Sequence, residues 1–181
     1  KLAGQHHNYI VQQLRDFQAS YLKEEEMQGS LRQDPNMMAY VTSPMIEAVP
    51  GEGHKVLDAE TAEHIAAFFS SQEPHYGSAN EALAERGAQI YHGGDLERNI
   101  PACAACHSPT GQGNGPANYP KLAGQHSEYT EAQLVKFRSA ERANDPSRMM
   151  RDIAERLSDD EIKAVSSYIE GLKPRPKTPR P

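Results

Sequence analysis

The chain has 181 residues, a formal net charge of −6 and 37% hydrophobic residues. The sequence contains no apolar run long enough to span a membrane. Its negative charge argues against a nucleic-acid ligand, which would call for a basic face, so we expect the partners to be proteins. The low hydrophobic content also indicates that a large apolar cofactor fills part of the interior.

Residues 1–17 recur later in the chain. They read KLAGQHHNYIVQQLRDF, residues 121–137 read KLAGQHSEYTEAQLVKF, and ten of the seventeen positions are identical. A match of this length at a fixed offset indicates an internal duplication. We therefore interpret the chain as two copies of one helical unit.

A second pair of matching segments lies nearer the end of each copy. LDAETAEHIAAFFSSQ from Leu57 parallels LSDDEIKAVSSYIEGL from Leu157, and Asp58 and Ser158 are candidate N-caps. We interpret both segments as the terminal helix of the unit. The first copy holds about twenty extra residues between Phe17 and Leu57, and because they show no sustained period we interpret them as an expanded surface loop.

Residues 73–80 separate the two copies and contain Pro, Gly and Ser, which are typical of a linker. After the linker, EALAERGAQIYHGG predicts a helix that leads into the cysteine motif. At the other end, residues 173–181 read KPRPKTPRP and predict an extended basic tail. Such a tail either keeps the protein in solution or tethers it to an acidic surface on a partner.

The only two cysteines of the chain lie in PACAACHSPTGQG, directly before a histidine. Two cysteines cannot form a four-cysteine zinc site, and no downstream histidine pair has ligand spacing. A thioredoxin-like dithiol should follow a β-strand, whereas a predicted helix precedes this motif. C-x-x-C-H is the attachment signature of a c-type haem. We predict that Cys103 and Cys106 form thioethers to haem c and that His107 binds the iron.

Projecting the repeat backwards places the first copy's equivalent of His107 just upstream of Lys1, because His107 lies fourteen residues before Lys121. We expect a preceding segment with its own C-x-x-C-H motif, and hence a second haem attached upstream of Lys1. The other interpretation is a first copy that has lost its attachment motif.

The haem motif, the repeat and the terminal helices occur in the order of a known family. GGDLERNIPACAACHSPTGQGNGPANYPKLAGQHSEY, with the later MMRDIAERLSDDEIKAVSSYIEGL, resembles the second domain of the dihaem cytochrome c4 family, and residues 1–72 resemble its first domain. The resemblance implies an all-α fold of two tandem class I cytochrome c domains, the first incomplete at its N-terminus. The domains are then residues 1–72 and 81–172, with a linker at 73–80 and a tail at 173–181.

The resemblance also implies further site residues. A proline carbonyl, which we place at Pro120, should accept a hydrogen bond from the proximal histidine. Matching the family pattern selects Met150 as the sixth ligand, with Met149 as the alternative, and the parallel between DPNMM and DPSRMM selects Met38 in the first domain, with Met45 as the alternative.

Two histidines, His6 and His126, share one repeat position. They are candidates for iron ligation or for a hydrogen bond to a haem propionate, although packing alone would give the same repeated spacing. In the class I fold the helix before the haem motif crosses the C-terminal helix, and Gly87 would permit a close approach near Tyr168.

Two functions are compatible with these features. The first is a periplasmic dihaem electron shuttle, which is not an enzyme and carries single electrons from a quinol-oxidising complex to a terminal oxidase. The alternative is a cytochrome subunit of a dehydrogenase complex, for example with a flavoprotein that oxidises sulfur compounds. A methionine ligand at Met150 disfavours peroxidase-like chemistry, which needs an open iron position.

Overall fold

The computed structural model describes residues 1–22 and 57–174. The ligand candidates Met38 and Met45, and the tail from residue 175 onward, lie outside the described residues. None of the helices in these two ranges is long and apolar enough to cross a membrane.

The described ranges contain α-helices, one short 3₁₀ turn and no strand, so the predicted all-α class is confirmed. Two isolated β-bridges, Asp95 with Ile100 and Asn114 with Tyr119, close small loops. The helices are α1 (His7–Leu22), α2 (Ala59–Ser71), α3 (Glu81–Gly93), α4 (Ala104–His107), α5 (Ser127–Arg138), α6 (Met149–Ala154) and α7 (Asp159–Gly171), with the 3₁₀ turn at Pro146–Arg148.

Helices α3 and α7 cross closely in the second copy, and Gly87 lies at the crossing. A Cβ atom at Gly87 would lie 2.3 Å from the carbonyl oxygen of Ala164 and 2.6 Å from Cβ of Tyr168. The close approach expected at Gly87 is therefore confirmed. The buried side chains around this crossing form the main core, which includes Ile90, Tyr91, Ile100, Leu134, Phe137, Leu157, Ile162, Val165, Ile169 and Leu172.

In the first copy, α1 packs on α2 through buried Ile10, Val11 and Ala66. The two terminal helices, α2 and α7, begin at the caps that the sequence predicts. The Asp58 carboxylate accepts from the backbone N–H of Thr61 at 2.7 Å, and Ser158 forms a complete capping box with the third helical residue.

The two copies contact each other through a buried arginine. Arg142, which follows α5, is 6% exposed. Its guanidinium donates to the hydroxyl oxygen of Tyr9 and to Oε1 of Gln13, both at 3.0 Å and both on α1. The same guanidinium lies 4.4 Å from the ring centroid of Phe137. These hydrogen bonds hold α1 against the second copy.

A carboxylate cluster fixes the start of α7 to the helix and loop before the cysteine motif. Glu161 is buried and accepts hydrogen bonds from Arg98 and Arg86, the latter at 2.6 Å. These bonds, those from Arg98 first, lower the pKa of Glu161 to about 2. The ion pairs therefore tie α7, α3 and the 95–100 loop together in the ionised state.

Gly87→Ala should destabilise the protein by about 1–3 kcal/mol, because the added methyl group meets the α7 backbone and not a movable side chain. Gly93→Ala in the same helix is the matched control, since a Cβ there has no neighbour within 4 Å. We expect the control to be neutral or stabilising by up to about 1 kcal/mol. Denaturant unfolding followed by circular dichroism measures both, and equal effects would contradict the close crossing.

Glu161→Gln should lower the free energy of unfolding at neutral pH by about 1–3 kcal/mol, since charged hydrogen bonds are replaced by neutral ones. A folded pKa below the ordinary value of 4.5 means that the wild type has this stabilisation fully above pH 4.5 and loses it as the pH falls towards 2. Over that pH window, the melting temperature should therefore fall less for the variant than for the wild type. Asp159→Asn, at an exposed carboxylate paired with Arg138, should leave that acid-side slope unchanged.

Candidate functional site

The cysteine motif forms a single helical turn. Cys103 precedes α4, and its carbonyl oxygen accepts from the backbone N–H of His107 at 2.9 Å. Residues three apart on such a turn are neighbours, so the thiols of Cys103 and Cys106 leave the same short segment. Both cysteines are partly buried and free. The turn therefore presents two thiols and one imidazole within five residues.

His107 is buried, at 7% exposed, and its two ring nitrogens have different surroundings. Nδ1 lies 2.9 Å from the carbonyl oxygen of Pro120. Because a carbonyl only accepts, Nδ1 carries the proton and Nε2 is the atom with a free lone pair. The described part of the chain offers Nε2 no hydrogen-bond partner. Burial, which outweighs the Pro120 contact, lowers the pKa of His107, so the imidazole is neutral as a metal ligand must be.

The loop that carries Pro120 is closed on itself. Backbone hydrogen bonds of 2.9 Å join Asn114 and Tyr119 in both directions, and Gly111 O accepts from the N–H groups of Leu122 and Ala123. Gly113 has φ +68°, and a Cβ there would lie 2.4 Å from the carbonyl oxygen of Tyr119. The acceptor of His107 is therefore set by a loop of fixed geometry.

Burial raises the pKa of the Cys103 thiol to about 11. Catalytic dithiols work with thiol pKa values lowered below the ordinary value, because the thiolate is the nucleophile. The raised pKa of Cys103 is therefore the opposite of what a redox-active dithiol needs. Among residues 1–22 and 57–174, no three His, Cys, Asp or Glu side chains are grouped so that they could hold a metal ion.

The two methionines before the last helix differ in environment. Met150 is partly buried and packs against the main core, whereas Met149 is 36% exposed. The turn that places them is fixed by Asp145, which accepts from the backbone N–H of Arg151 at 2.9 Å and from its Nε at 2.7 Å. The side chain of Met150 is thus directed inward and that of Met149 outward.

These residues fit a covalently attached haem. Such a group requires two thiols on one turn and a neutral imidazole with a free nitrogen, and a thioether is a common soft donor for the other axial position. Cys103, Cys106 and His107 match the first three, and Met150 is the candidate for the thioether. The Pro120 carbonyl supplies the contact that orients a ligating histidine and raises its basicity.

Two groups near the site were not foreseen from the sequence. The hydroxyl of buried Tyr91 donates to the carbonyl oxygen of Ser108 at 2.7 Å, next to His107. Gln5, from the other copy, bonds the backbone of Lys121. The glutamine that recurs in both KLAGQH segments could have drawn attention to Gln5. A sequence repeat does not show, however, which segments contact each other.

The paired histidines have different contacts. Nε2 of His6 lies 2.7 Å from the carbonyl oxygen of Gln112, in the loop after the cysteine motif. His126 is more than half exposed, and its Nδ1 lies 3.6 Å from the Glu170 carboxylate. His6 is thus engaged in packing against the second copy.

Comparison with known proteins places these features in a family. Residues 84–173 match the family described as cytochrome c. Cytochrome c4 of Azotobacter vinelandii is 42% identical over 95% of this chain and 76% of its own length. The solved structure of reduced cytochrome c4 from Pseudomonas stutzeri superposes with a TM-score of 0.81 at 40% identity, covering 95% of this chain and 84% of the other.

A further relative has a more specific name. The thiosulfate dehydrogenase electron acceptor of Stutzerimonas stutzeri is 37% identical over 95% of this chain and 70% of its own length. The cytochrome c match implies haem c as the cofactor, and Cys103 and Cys106 fit its attachment motif, as the sequence predicted. The fold, the motif and the similarity over almost the whole chain agree, and the protein belongs to the cytochrome c4 family of electron-transfer c-type cytochromes.

Proposed function

We propose that the protein is a periplasmic dihaem electron shuttle, which accepts single electrons from a quinol-oxidising complex and delivers them to a terminal oxidase. The observation that carries the proposal is the buried His107, whose Nδ1 is fixed by Pro120 and whose Nε2 is free. In this proposal Cys103 and Cys106 hold haem c, and His107 and Met150 are the axial ligands. The haem of the first domain has Met38 as its proposed axial methionine.

The residues of the chain have three tasks in this function. When bound, haem c supplies a one-electron couple at its iron. His107 remains neutral and oriented because its Nδ1–H is held by Pro120. Met150 packs against the core, where it would offer the iron a soft sulfur donor. Ligands held this firmly change little on reduction, so the structural rearrangement that accompanies electron transfer is small.

The domain division supports two such sites in one chain. We propose a first domain at residues 1–72, a linker at 73–80, a second domain at 81–172 and the basic tail at 173–181. The contacts of Arg142 with α1 support packing of the two domains against each other, which would keep two haems close enough for transfer between them. The cofactor supports the proposed periplasmic location, since covalent haem attachment is completed outside the bacterial inner membrane.

The second candidate function is electron acceptor of a dehydrogenase that oxidises sulfur compounds. It is favoured by the similarity to a protein named as a thiosulfate dehydrogenase electron acceptor. In both functions the protein is an electron carrier without a substrate of its own. The two differ in the donor.

Met150→Ala should remove the methionine-to-iron charge-transfer band of the ferric protein. It should also lower the reduction potential of that haem by on the order of 100 mV, because a thioether ligand favours ferrous iron. Met149→Ala is the matched control and should change neither quantity, since that side chain is turned to solvent. Optical spectra and redox titration measure both, and the reverse pattern would assign the ligand to Met149.

The donor can be identified by stopped-flow reduction of the oxidised protein. With a quinol-oxidising complex, we expect fast reduction whose rate falls as salt is added, because the net charge of −6 favours a basic docking patch and added ions screen it. With thiosulfate and a thiosulfate dehydrogenase, we expect slower reduction. Faster reduction by the thiosulfate enzyme would replace the proposed function with the second candidate.

A further inference from the structure

The two KLAGQ segments bind each other reciprocally. The side-chain Nε2 of Gln5 donates to the carbonyl oxygen of Lys121 at 2.9 Å, and its Oε1 accepts from the backbone N–H of Lys121 at 2.8 Å. In the mirrored contact, Nε2 of Gln125 donates to the carbonyl oxygen of Lys1 at 3.0 Å, and its Oε1 lies 2.6 Å from the backbone nitrogen of Lys1. Each glutamine thus holds both backbone polar groups of the lysine at the start of the opposite repeat, as in a two-fold symmetric interface.

The two glutamines are also held in the same way within their own segments. Oε1 of Gln5 accepts from the backbone N–H of His6 at 2.9 Å, and Oε1 of Gln125 accepts from that of His126 at 2.9 Å. The repeated contact is therefore a property of the motif. Gln5 is 7% exposed, so its amide is shielded from competing water.

The contact at Lys121 lies one peptide group from the proximal histidine. The N–H of Lys121 and the carbonyl of Pro120 belong to the same planar peptide unit, in which they point in opposite directions. The carbonyl end accepts from Nδ1 of His107 at 2.9 Å, and the N–H end donates to Gln5 at 2.8 Å. A continuous hydrogen-bond chain therefore runs from Gln5 through one peptide group to the imidazole.

Hydrogen bonds in such a chain polarise one another. Accepting the N–H proton at Gln5 increases the negative charge on the Pro120 carbonyl oxygen, which then accepts more strongly from His107. A second contact steadies the same loop, since Nε2 of His6 lies 2.7 Å from the carbonyl oxygen of Gln112. The consecutive residues Gln5 and His6 thus contact the two ends of the loop that carries Pro120, at Lys121 and at Gln112.

We propose that Gln5 is a positioning residue for the haem site of the opposite domain. Its amide strengthens and orients the hydrogen bond from His107 to Pro120 through the peptide group that joins Pro120 to Lys121. This inference rests on the proposed role of His107 as an iron ligand. A stronger hydrogen bond at Nδ1 makes the imidazole a stronger electron donor to the iron, which favours ferric iron. The contact from the first domain therefore lowers the reduction potential of the second haem.

The test replaces Gln5 in the full haem-loaded protein by methionine, which has a similar volume and no polar group. In the reduced protein, the His107 Nδ1–H should exchange with solvent about two- to tenfold faster, because its bond to Pro120 is weakened but not removed. The ratio of reduced to oxidised second haem at a fixed ambient potential should rise by about two- to tenfold. Nitrogen NMR of His107 measures the exchange rate. A redox titration followed through the Met150 methyl signal measures the ratio of reduced to oxidised second haem.

Gln12→Met is the matched control, because Gln12 is an exposed glutamine of the same copy and its side chain donates to Asp16 on its own helix. It should change neither quantity. Gln5→Asn is a second variant, too short to reach Lys121, and should shift both readouts in the same direction as Gln5→Met if the methionine variant does not fold.

The outcomes separate the two levels of the proposal. A Gln5 variant that loses thermal stability but keeps the wild-type exchange rate and potential would show a purely structural contact and overturn the inference alone. Wild-type protein without haem at Cys103 and Cys106 would overturn the proposed function and the inference together. Faster exchange with a raised potential in the Gln5 variants, and neither in the control, would support the inference.

Discussion

The hydrogen bond from His107 to the carbonyl of Pro120 is the contact on which the site depends. It fixes which ring nitrogen is protonated, and so leaves the other free for a metal. It also joins the two ends of the segment between the cysteine motif and the second repeat. The closed loop from Gly111 to Ala123 and the contacts of Gln5 both hold the oxygen that accepts this bond.

The packing of the helices also holds the cysteine motif in place. Close packing at Gly87 brings α7 against α3, the helix that leads into the cysteine motif, and the ion pairs of Glu161 hold the start of α7 near the 95–100 loop. Tyr91 on α3 then reaches Ser108 beside the histidine. In the proposed function, this frame would hold the haem ligands in a fixed geometry, as fast electron transfer requires.

Local patterns made much of this predictable. C-x-x-C-H identified the cofactor, the repeat identified two copies, and the caps at Asp58 and Ser158 placed the terminal helices correctly. The burial difference between Met149 and Met150 depends on the turn fixed by Asp145 and needed coordinates. The contacts of Gln5, His6 and Arg142 could not be predicted, because they depend on how one copy lies against the other, and a single sequence does not encode that in any short pattern.

The most direct measurement of the central claim is mass spectrometry of the tryptic peptide that follows Arg98 and ends at Lys121, from protein purified with its cofactor. We predict a peptide that carries the mass of one haem, with neither Cys103 nor Cys106 open to alkylation. A peptide without added mass, in which both cysteines react with the alkylating reagent, would contradict haem attachment at this turn and with it the assigned role of His107.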